Sequence, residues 1–168
     1  MAEVSYRFNL SNARESDLQV LLELYCDVRG PEISAWGLPA DQIEAFLRMQ
    51  FEARQQSYQA AYPEARNEIV SIGGVPVGHW LVAYSPTELR LVDIALLGAF
   101  RNRGIGADLI QKLIDECRAN DLVFRLQVLR GNPAIRLYMR MGFRETSTDP
   151  MYIQLAWSLG KARNELGP

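Results

Sequence analysis

The feature that most constrains this sequence is the glycine-containing stretch RNRGIGADLI, from Arg101 to Ile110. A run rich in branched side chains, ELRLVDIALL (88–97), precedes it and is typical of a strand, whereas the residues after Gly106 repeat with helical spacing. Strand character returns in VFRLQVL (123–129). Strand, turn, helix and strand in this order predict a βαβ crossover, which places the two strands parallel in one sheet.

The segments around this crossover predict further strands that run antiparallel. Two strand patterns meet at Gly73-Gly74, a tight hairpin turn, and a third pattern follows the turn at 85–87. An alternating stretch at 4–9 and a hairpin around Asp149-Pro150 add the outer strands. We therefore expect an α/β (α+β) fold: a mixed, mostly antiparallel, twisted sheet of about six or seven strands, with the crossover at its centre and helices on both faces.

Two helices are predicted between the first strand and the hairpin. Ser16 opens a capping box with Gln19, in which each side chain satisfies a free backbone N–H of the other residue. The helix that follows is predicted to end at Arg29–Pro31, because proline disfavours helix continuation. A second, longer helical pattern runs from 40 to 61.

Composition narrows the class of protein. The formal net charge of −2 disfavours a nucleic-acid-binding surface, since such domains usually carry a basic excess. No signal-peptide pattern and no apolar run of membrane-spanning length is present, so a cytoplasmic location without membrane contact is expected.

The length is that of one domain, 1–168, whose polar tail (158–168) is expected to fray. Cys26 and Cys117 lie on apolar helical stripes, which predicts buried free thiols and no metal site.

The turn at the start of the crossover helix suits a diphosphate. Arg101 and Arg103 bring positive charge, and Gly104 and Gly106 let a ligand approach the backbone N–H groups at a helix N-terminus. The dinucleotide fingerprint requires glycine where Leu109 stands, and no Gly-Lys-Ser/Thr of a P-loop is present. Ten residues of this kind also occur as a plain loop before a helix.

Two segments together resemble the GNAT superfamily of acyl-CoA-dependent N-acyltransferases. The stretch LVDIALLGAFRNRGIGADLI is similar to the central motif of that family, [RQ]-x-x-G-x-[GA] between the fourth strand and the next helix. NPAIRLYMRMGF (132–143) is similar to the second motif, an asparagine, a short helix and Tyr-x-x-x-Gly-Phe. The matching positions are Arg101, Gly104, Gly106, Asn132, Tyr138, Gly142 and Phe143.

The resemblance implies an acetyl-CoA site and no metal. In this family backbone amides of the glycine-containing turn bind the pyrophosphate, here residues Arg101, Asn102, Arg103, Gly104, Ile105, Gly106 and Ala107. The fourth strand is expected to splay from the fifth, so that main-chain groups of Ile94, Leu96 and Leu97 contact the pantetheine arm. By the same resemblance Asn132 bonds the cofactor arm and Tyr138 faces the thioester sulfur.

Catalysis requires a proton acceptor for the amine and a donor for the departing thiolate. Tyr138 is the predicted acid, and Asp93, a carboxylate in an apolar strand, is the predicted base. Asp93 could instead be structural, bonded to backbone or to an arginine such as Arg90. Glu88 and ordered water are further candidates for the base, whereas Gln127 stands where some relatives carry glutamate and cannot accept a proton.

The acceptor side of the site is less defined by the sequence. His79, the sole histidine, is expected to be an exposed or hydrogen-bonded strand residue. Trp36 and Arg29 could wall the acceptor site, and Tyr58 and Tyr62 are expected to pack.

The resemblance implies an N-acetyltransferase that transfers the acetyl group of acetyl-CoA to a primary amine by direct attack in a ternary complex. The acceptor is expected to be a small-molecule or peptide amine, and nucleic acid is disfavoured by the charge. A non-catalytic acyl-CoA-binding sensor is the alternative, because the base is not identified. Homodimer formation is left open.

Overall fold

The computed structural model describes residues 7–159 of the chain. It contains seven strands and four α-helices within that range, with short 3₁₀ turns at Glu15–Asp17 and Gly98–Phe100. In chain order these are β1 Phe8–Asn12, α1 Leu18–Ser34, α2 Ala40–Ala61, β2 Arg66–Ile72, β3 Val75–Tyr84, β4 Glu88–Leu96, α3 Ile105–Asn120, β5 Val123–Leu129, α4 Ala134–Arg140, β6 Arg144–Thr148 and β7 Tyr152–Trp157.

The strands form one open sheet in the order β1-β2-β3-β4-β5-β7-β6. β4 and β5 are parallel, paired from Glu88–Val123 to Leu91–Leu126, while β1–β2, β5–β7 and β6–β7 are antiparallel. The predicted fold class, a mixed and mostly antiparallel sheet with a βαβ crossover, is therefore confirmed. The β4–β5 register uses the first four residues of each strand.

The chain divides into two compact units. The first unit comprises the residues up to Leu81 together with Asp93–Arg103, and the second comprises Val82–Val92 together with the chain from Gly104 onward. Strands β3 and β4 each contribute to both units. The expectation of one domain over 1–168 stays a prediction.

The core of the first unit lies where α1 meets α2 and β2. Its buried members are Leu21, Leu22, Leu24, Phe51 and Ile69. The rings of Tyr25 and Phe51 lie 5.8 Å apart and join the two helices. Cys26 is partly exposed on α1, so the prediction of burial is wrong for this thiol.

The core of the second unit is built on α3, which packs against β5. The apolar face of α3 is buried: Ile105, Leu109, Ile110, Leu113, Ile114 and Cys117. Phe124 of β5 meets Phe143 edge-on at 4.9 Å. Cys117 is a buried free thiol, and burial raises its pKa to about 12.

The start of the chain differs from the prediction. The first strand was expected at 4–9, but β1 begins at Phe8, and 4–6 lie outside the described residues. The capping box of Ser16 with Gln19 is wrong, since Ser16 lies inside the 3₁₀ turn. The chain tightens before α1, and the carboxylate of Asp17 accepts the backbone N–H of Arg14 (2.8 Å).

Helix α1 does not end at Arg29–Pro31 as predicted but continues to Ser34. The physical reason is burial: Ile33, in the last turn, is 1% exposed and anchors the helix beyond the proline. This apolar contact offsets the backbone hydrogen bond that Pro31 cannot donate. The connection to α2 therefore begins later than the sequence indicates.

The predicted turns are confirmed. Gly73 and Gly74 have φ of 58° and 81°, as a tight hairpin turn requires. Gly142 has φ of 94° and follows α4. The carboxylate of Asp149 accepts the N–H groups of Met151 and Tyr152, which closes the terminal hairpin. The tail predicted to fray over 158–168 lies mostly outside the described residues.

Two features are absent from residues 7–159. Between residues 7 and 159 no helix combines the length and apolarity needed to cross a membrane. Over the same range no group of three or more His, Cys, Asp or Glu side chains is placed to hold a metal ion.

Candidate functional site

The turn before α3 is shaped by residues with left-handed backbone. Asn102 and Gly104 have φ of 58° and 84°, and Gly104 is the N-cap of α3. The first helical bond runs from the N–H of Asp108 to the carbonyl of Gly104 (3.0 Å). The N–H groups of 105–107 therefore belong to the first turn, where an α-helix provides no internal acceptor. A Cβ at Gly104 would meet nothing within 4 Å, so the backbone there is open to a ligand.

The side chain of Arg101 holds this turn in place. Its Nε donates to the carbonyl of Leu96 (2.8 Å), and its Nη2 bonds the carboxylate of Asp27 on α1 (2.5 Å). The same carboxylate accepts the N–H of Gly98 (2.9 Å). Arg101 thus ties the end of β4 to α1, while Arg103 lies exposed with its guanidinium 5.6 Å from the ring of Phe100.

The end of β4 carries the predicted main-chain contacts. The N–H of Leu97 donates to the carbonyl of Val77 on β3 (2.9 Å), and the carbonyl of Leu96 is held by Arg101. Gly78 permits this close approach, because a Cβ there would lie 2.7 Å from the carbonyl oxygen of Ala95. The role of Ile94, Leu96 and Leu97 toward a cofactor stays a prediction.

The second motif lies in the second unit. The carboxamide oxygen of Asn132 accepts the N–H of Ala134 (2.9 Å) at the start of α4. Tyr138 is 6% exposed, and its ring contacts Phe143 edge-on at 5.6 Å. The motif residues are therefore arranged by one short helix and its stop, and their contacts with a cofactor stay predictions.

A partly buried polar cluster lies in the first unit, at the middle of the sheet. Asp93, the predicted base, accepts a 2.5 Å bond from Nη2 of Arg54 on α2. The other carboxylate oxygen lies 3.9 Å from Nδ1 of His79, whose Nε2 is 2.5 Å from the carboxamide oxygen of Asn67. His79 is 6% exposed, so its hydrogen bond agrees with the expectation and its burial does not.

Burial lowers the pKa of His79 below its ordinary value of 6.5. Asp93 raises this pKa and Arg54 lowers it, but loss of hydration is the largest cause. The imidazole is therefore neutral at pH 7. Arg54 remains a cation, its pKa raised because the attraction of Asp93 and the bond to Tyr58 outweigh its burial.

Two cavities open beside this cluster. The smaller, of about 60 Å³, is lined by His79, Asp93 and Arg54 and by the end of β4 at Ile94 and Ala95. The larger, of about 580 Å³, is lined by residues from the segment 13–21, from the last turns of α2 and the loop after it, and from β2 and β3. Lining residues shared by both cavities are Leu21, Gln55, Tyr58 and His79. Tyr58 and Tyr62, expected to pack, both face the larger cavity.

The remaining candidates have other partners. Glu88 is bound by Arg90 (2.9 Å) and Arg125 (2.8 Å), so Arg90 is not the partner of Asp93 that was considered. The Gln127 carboxamide accepts from Gln154. Trp36 is 56% exposed with its ring against Phe46, and Arg29 pairs with Glu32.

A sequence profile of the acetyltransferase (GNAT) family matches residues 32–143. The chain belongs to the GNAT acetyltransferase family. The match includes both segments that carry the resemblance, the turn at 101–106 and the helix and stop at 132–143. Membership supports acetyl transfer as the general activity and a coenzyme A thioester as cosubstrate. No curated protein matches the chain in sequence.

Solved structures share the GNAT fold over most of the chain. PaiA N-acetyltransferase of Thermoplasma acidophilum, in complex with coenzyme A, has TM-score 0.68 at 15% identity, covering 91% of this chain and 99% of its own. Naa50 of Arabidopsis thaliana, in complex with the bisubstrate analogue CoA-Ac-MVNAL, has TM-score 0.60 at 18% identity, covering 90% and 99%. The ribosomal-protein-S18-alanine N-acetyltransferase of Escherichia coli has TM-score 0.58 at 18% identity, covering 90% and 94%.

The sequence alone does not point to the polar cluster around His79. Arg54, Asn67 and His79 lie on three different elements, and no local motif links them. The nearest signal is His79 after Gly78 in a strand whose residues 77–82 are all buried. A single histidine inside an apolar strand predicts a hydrogen-bond partner nearby, because a buried imidazole must be compensated by a hydrogen bond.

Proposed function

We propose that this protein is an N-acetyltransferase that transfers the acetyl group of acetyl-CoA to a primary amine by direct attack in a ternary complex. The observation that carries the proposal is the start of α3, where Gly104 leaves the backbone open and the first-turn amide N–H groups, which have no acceptor inside the helix, point along the axis out of its N-terminal end. An anion such as a pyrophosphate is stabilised there by the amides and by the helix dipole. The residues that would hold it are Arg101 to Ala107.

The second motif supports a proton donor. When bound, the acetyl thioester supplies the acyl carbon and a thiolate leaving group. Tyr138 is placed by α4 with its ring held against Phe143, and a phenol can donate a proton to a departing thiolate. Neither thiol of the chain lies in the motifs, so no acyl-enzyme step is proposed.

The larger cavity is proposed as the acceptor site. Its volume of about 580 Å³ falls in the range of small-molecule pockets. Its lining includes the aromatic side chains Tyr58 and Tyr62 and the amides Gln55 and Gln59. These groups suit an amine attached to a neutral polar or aromatic body, which includes the N-terminal residues of a peptide.

Binding of acetyl-CoA tests the proposed pyrophosphate cradle, the turn from Arg101 to Ala107. Gly104→Glu places a carboxylate at the turn, and we expect its Kd, measured by isothermal titration, to rise at least about tenfold because the charge repels the diphosphate. Gly74→Glu is the matched control, since Gly74 also has positive φ and open space but lies in the β2–β3 turn. Equal binding by wild type and Gly104→Glu would contradict the cradle.

Turnover distinguishes an acetyltransferase from a non-catalytic acyl-CoA-binding sensor. Wild-type protein with acetyl-CoA is offered butylamine, 1,4-diaminobutane and a short peptide with a free amino terminus, and release of free CoA thiol is measured. Thiol release above the amine-free rate supports the enzyme. Acetyl-CoA binding without release for any of these amines would favour the sensor.

A further inference from the structure

His79 is a buried titratable group that the two family motifs do not include. It is the only histidine of the chain, it lies on β3, and it lines both cavities. The smaller cavity joins it to Ile94 and Ala95, where β4 carries the predicted contacts with the pantetheine arm. A side chain in this position faces both an acceptor in the larger cavity and the strand predicted to hold the donor.

The hydrogen bond to Asn67 fixes which nitrogen of His79 is basic. The carboxamide oxygen of Asn67 only accepts, so this hydrogen bond assigns the ring proton to Nε2, 2.5 Å from that oxygen. A neutral imidazole has one N–H, and Nδ1 is therefore left with a free lone pair. Nδ1 lies 3.9 Å from the carboxylate of Asp93, which is beyond hydrogen-bonding distance.

The charged groups around Nδ1 allow this nitrogen to become protonated but do not keep it protonated. Asp93, from β4, stabilises an imidazolium, whereas Arg54, from α2, opposes it. Burial opposes it further, so the ring stays neutral at pH 7 and is available as a base. The other titratable groups that line the smaller cavity are the phenols Tyr25 of α1 and Tyr58 of α2. Their rings lie 5.6 and 5.1 Å from the Arg54 guanidinium.

We propose that Nδ1 of His79 accepts the proton that the acceptor amine loses, with Asp93 as the anion that stabilises the resulting imidazolium. The inference rests on the proposed function. Asp93, predicted as the base, is then a positioning residue, because its carboxylate is already bonded to Arg54.

The step balances in atoms and charge. The ammonium group gives one proton to Nδ1, and the freed lone pair forms the bond to the acyl carbon. The C–S bond breaks with its electron pair on sulfur, and the hydroxyl of Tyr138 protonates that sulfur. The second proton lost by the amine nitrogen restores Tyr138, and the imidazolium returns its proton to solvent.

Nitrogen NMR tests the basic atom directly. A single histidine gives one imidazole spectrum, so tag-free, histidine-labelled protein reports the tautomer and the pKa without assignment. We expect the proton on Nε2 at pH 8 and a pKa below 6.5, which falls further in Asp93→Asn and rises in Arg54→Gln. A proton on Nδ1 at pH 8 would overturn the proposal.

Kinetics tests the role in turnover. In wild type we expect kcat/KM, for the amine that gives the fastest CoA release, to rise with pH through the pKa found by NMR. His79→Gln should lose about 10² in kcat/KM and the inflection, while binding acetyl-CoA within twofold of wild type. Tyr138→Phe is the comparison, since it should also lose rate but keep the inflection.

The outcomes separate the two proposals. Wild type that binds acetyl-CoA but acetylates no amine contradicts the proposed function, and the role of His79 with it. Wild type that is active, with His79→Gln keeping both rate and inflection, contradicts the role of His79 alone. If His79→Gln does not fold, Asp93→Asn decides, because its kinetic inflection must then move to lower pH together with the NMR value.

Discussion

At the scale of single residues, His79 links stability to pH. Burial lowers its folded pKa below the unfolded value of about 6.5, so the unfolded chain binds more protons between those two values. The free energy of unfolding therefore falls as pH drops below about 6.5, by at most about 1.4 kcal/mol per pH unit from this group, and is unaffected above about 7.5.

Urea unfolding between pH 5.5 and 7.5 measures this effect. We expect wild type to lose stability over the range and His79→Gln to lose less, because glutamine does not titrate. Parallel curves for the two proteins would show that His79 is not buried in its neutral form. Asp93→Asn should lose more stability than wild type over this pH range, because Asp93 raises the pKa of His79 and its removal lowers that pKa further.

The turn before α3 could be recognised from a local sequence pattern, whereas the surroundings of His79 could not. Arg101, Gly104 and Gly106 lie within six positions, so one local pattern of turn, charge and helix start indicates their chemistry. His79 depends on Asn67 and Asp93, each on a neighbouring strand and far from it in the sequence. Contacts of that kind arise only after the sheet has formed.

At the scale of elements, Asp27 connects helix α1 to the turn before α3. Its carboxylate accepts from the side chain of Arg101 and from the N–H of Gly98, two residues of the segment that leads from the end of β4 into the cradle. Asp27→Asn should raise the Kd for acetyl-CoA about three- to tenfold, because the turn becomes less ordered before binding. Its effect on stability should stay below about 1 kcal/mol, since the ion pair is partly exposed.

The matched control for Asp27 is Glu32→Gln on the same helix. Glu32 also forms an exposed ion pair, with Arg29, but has no contact with the turn in the described part of the chain. Isothermal titration with acetyl-CoA should show an unchanged Kd for this variant. If both variants lose affinity for acetyl-CoA equally, or if neither variant loses affinity, then Asp27 does not order the turn.

Element types followed from sequence periodicity, while element ends depended on packing. The helix after Gly104 shows a clear apolar face, and it forms as α3 with that face buried. Pro31 is a strong local stop signal, yet Ile33 beyond it is buried and extends α1. A tertiary contact that follows a proline cannot be predicted from the local pattern.

At the scale of the whole molecule, charge is balanced around both cavities. The larger cavity is lined by one cation and one anion, Arg14 and Glu15, and the smaller one by the ion pair of Arg54 with Asp93. The whole chain carries a formal net charge of −2. In the proposed acceptor site this balance gives no electrostatic preference for a multiply charged amine over a singly charged one, so we expect shape and hydrogen bonding to decide which acceptor is used.

This balance predicts how acceptor preference can be shifted. Gln59→Glu adds one negative charge to the lining of the larger cavity, and we expect it to raise the ratio of kcat/KM for 1,4-diaminobutane over butylamine about fivefold at low salt. The two amines have the same chain length, so the ratio isolates the second charge. The gain should shrink at high salt, because the added charge near the opening is screened.

Gln56→Glu is the control, since Gln56 is exposed on the same helix and does not line the cavity. Equal ratios for the two variants would mean that the amine does not bind in this cavity.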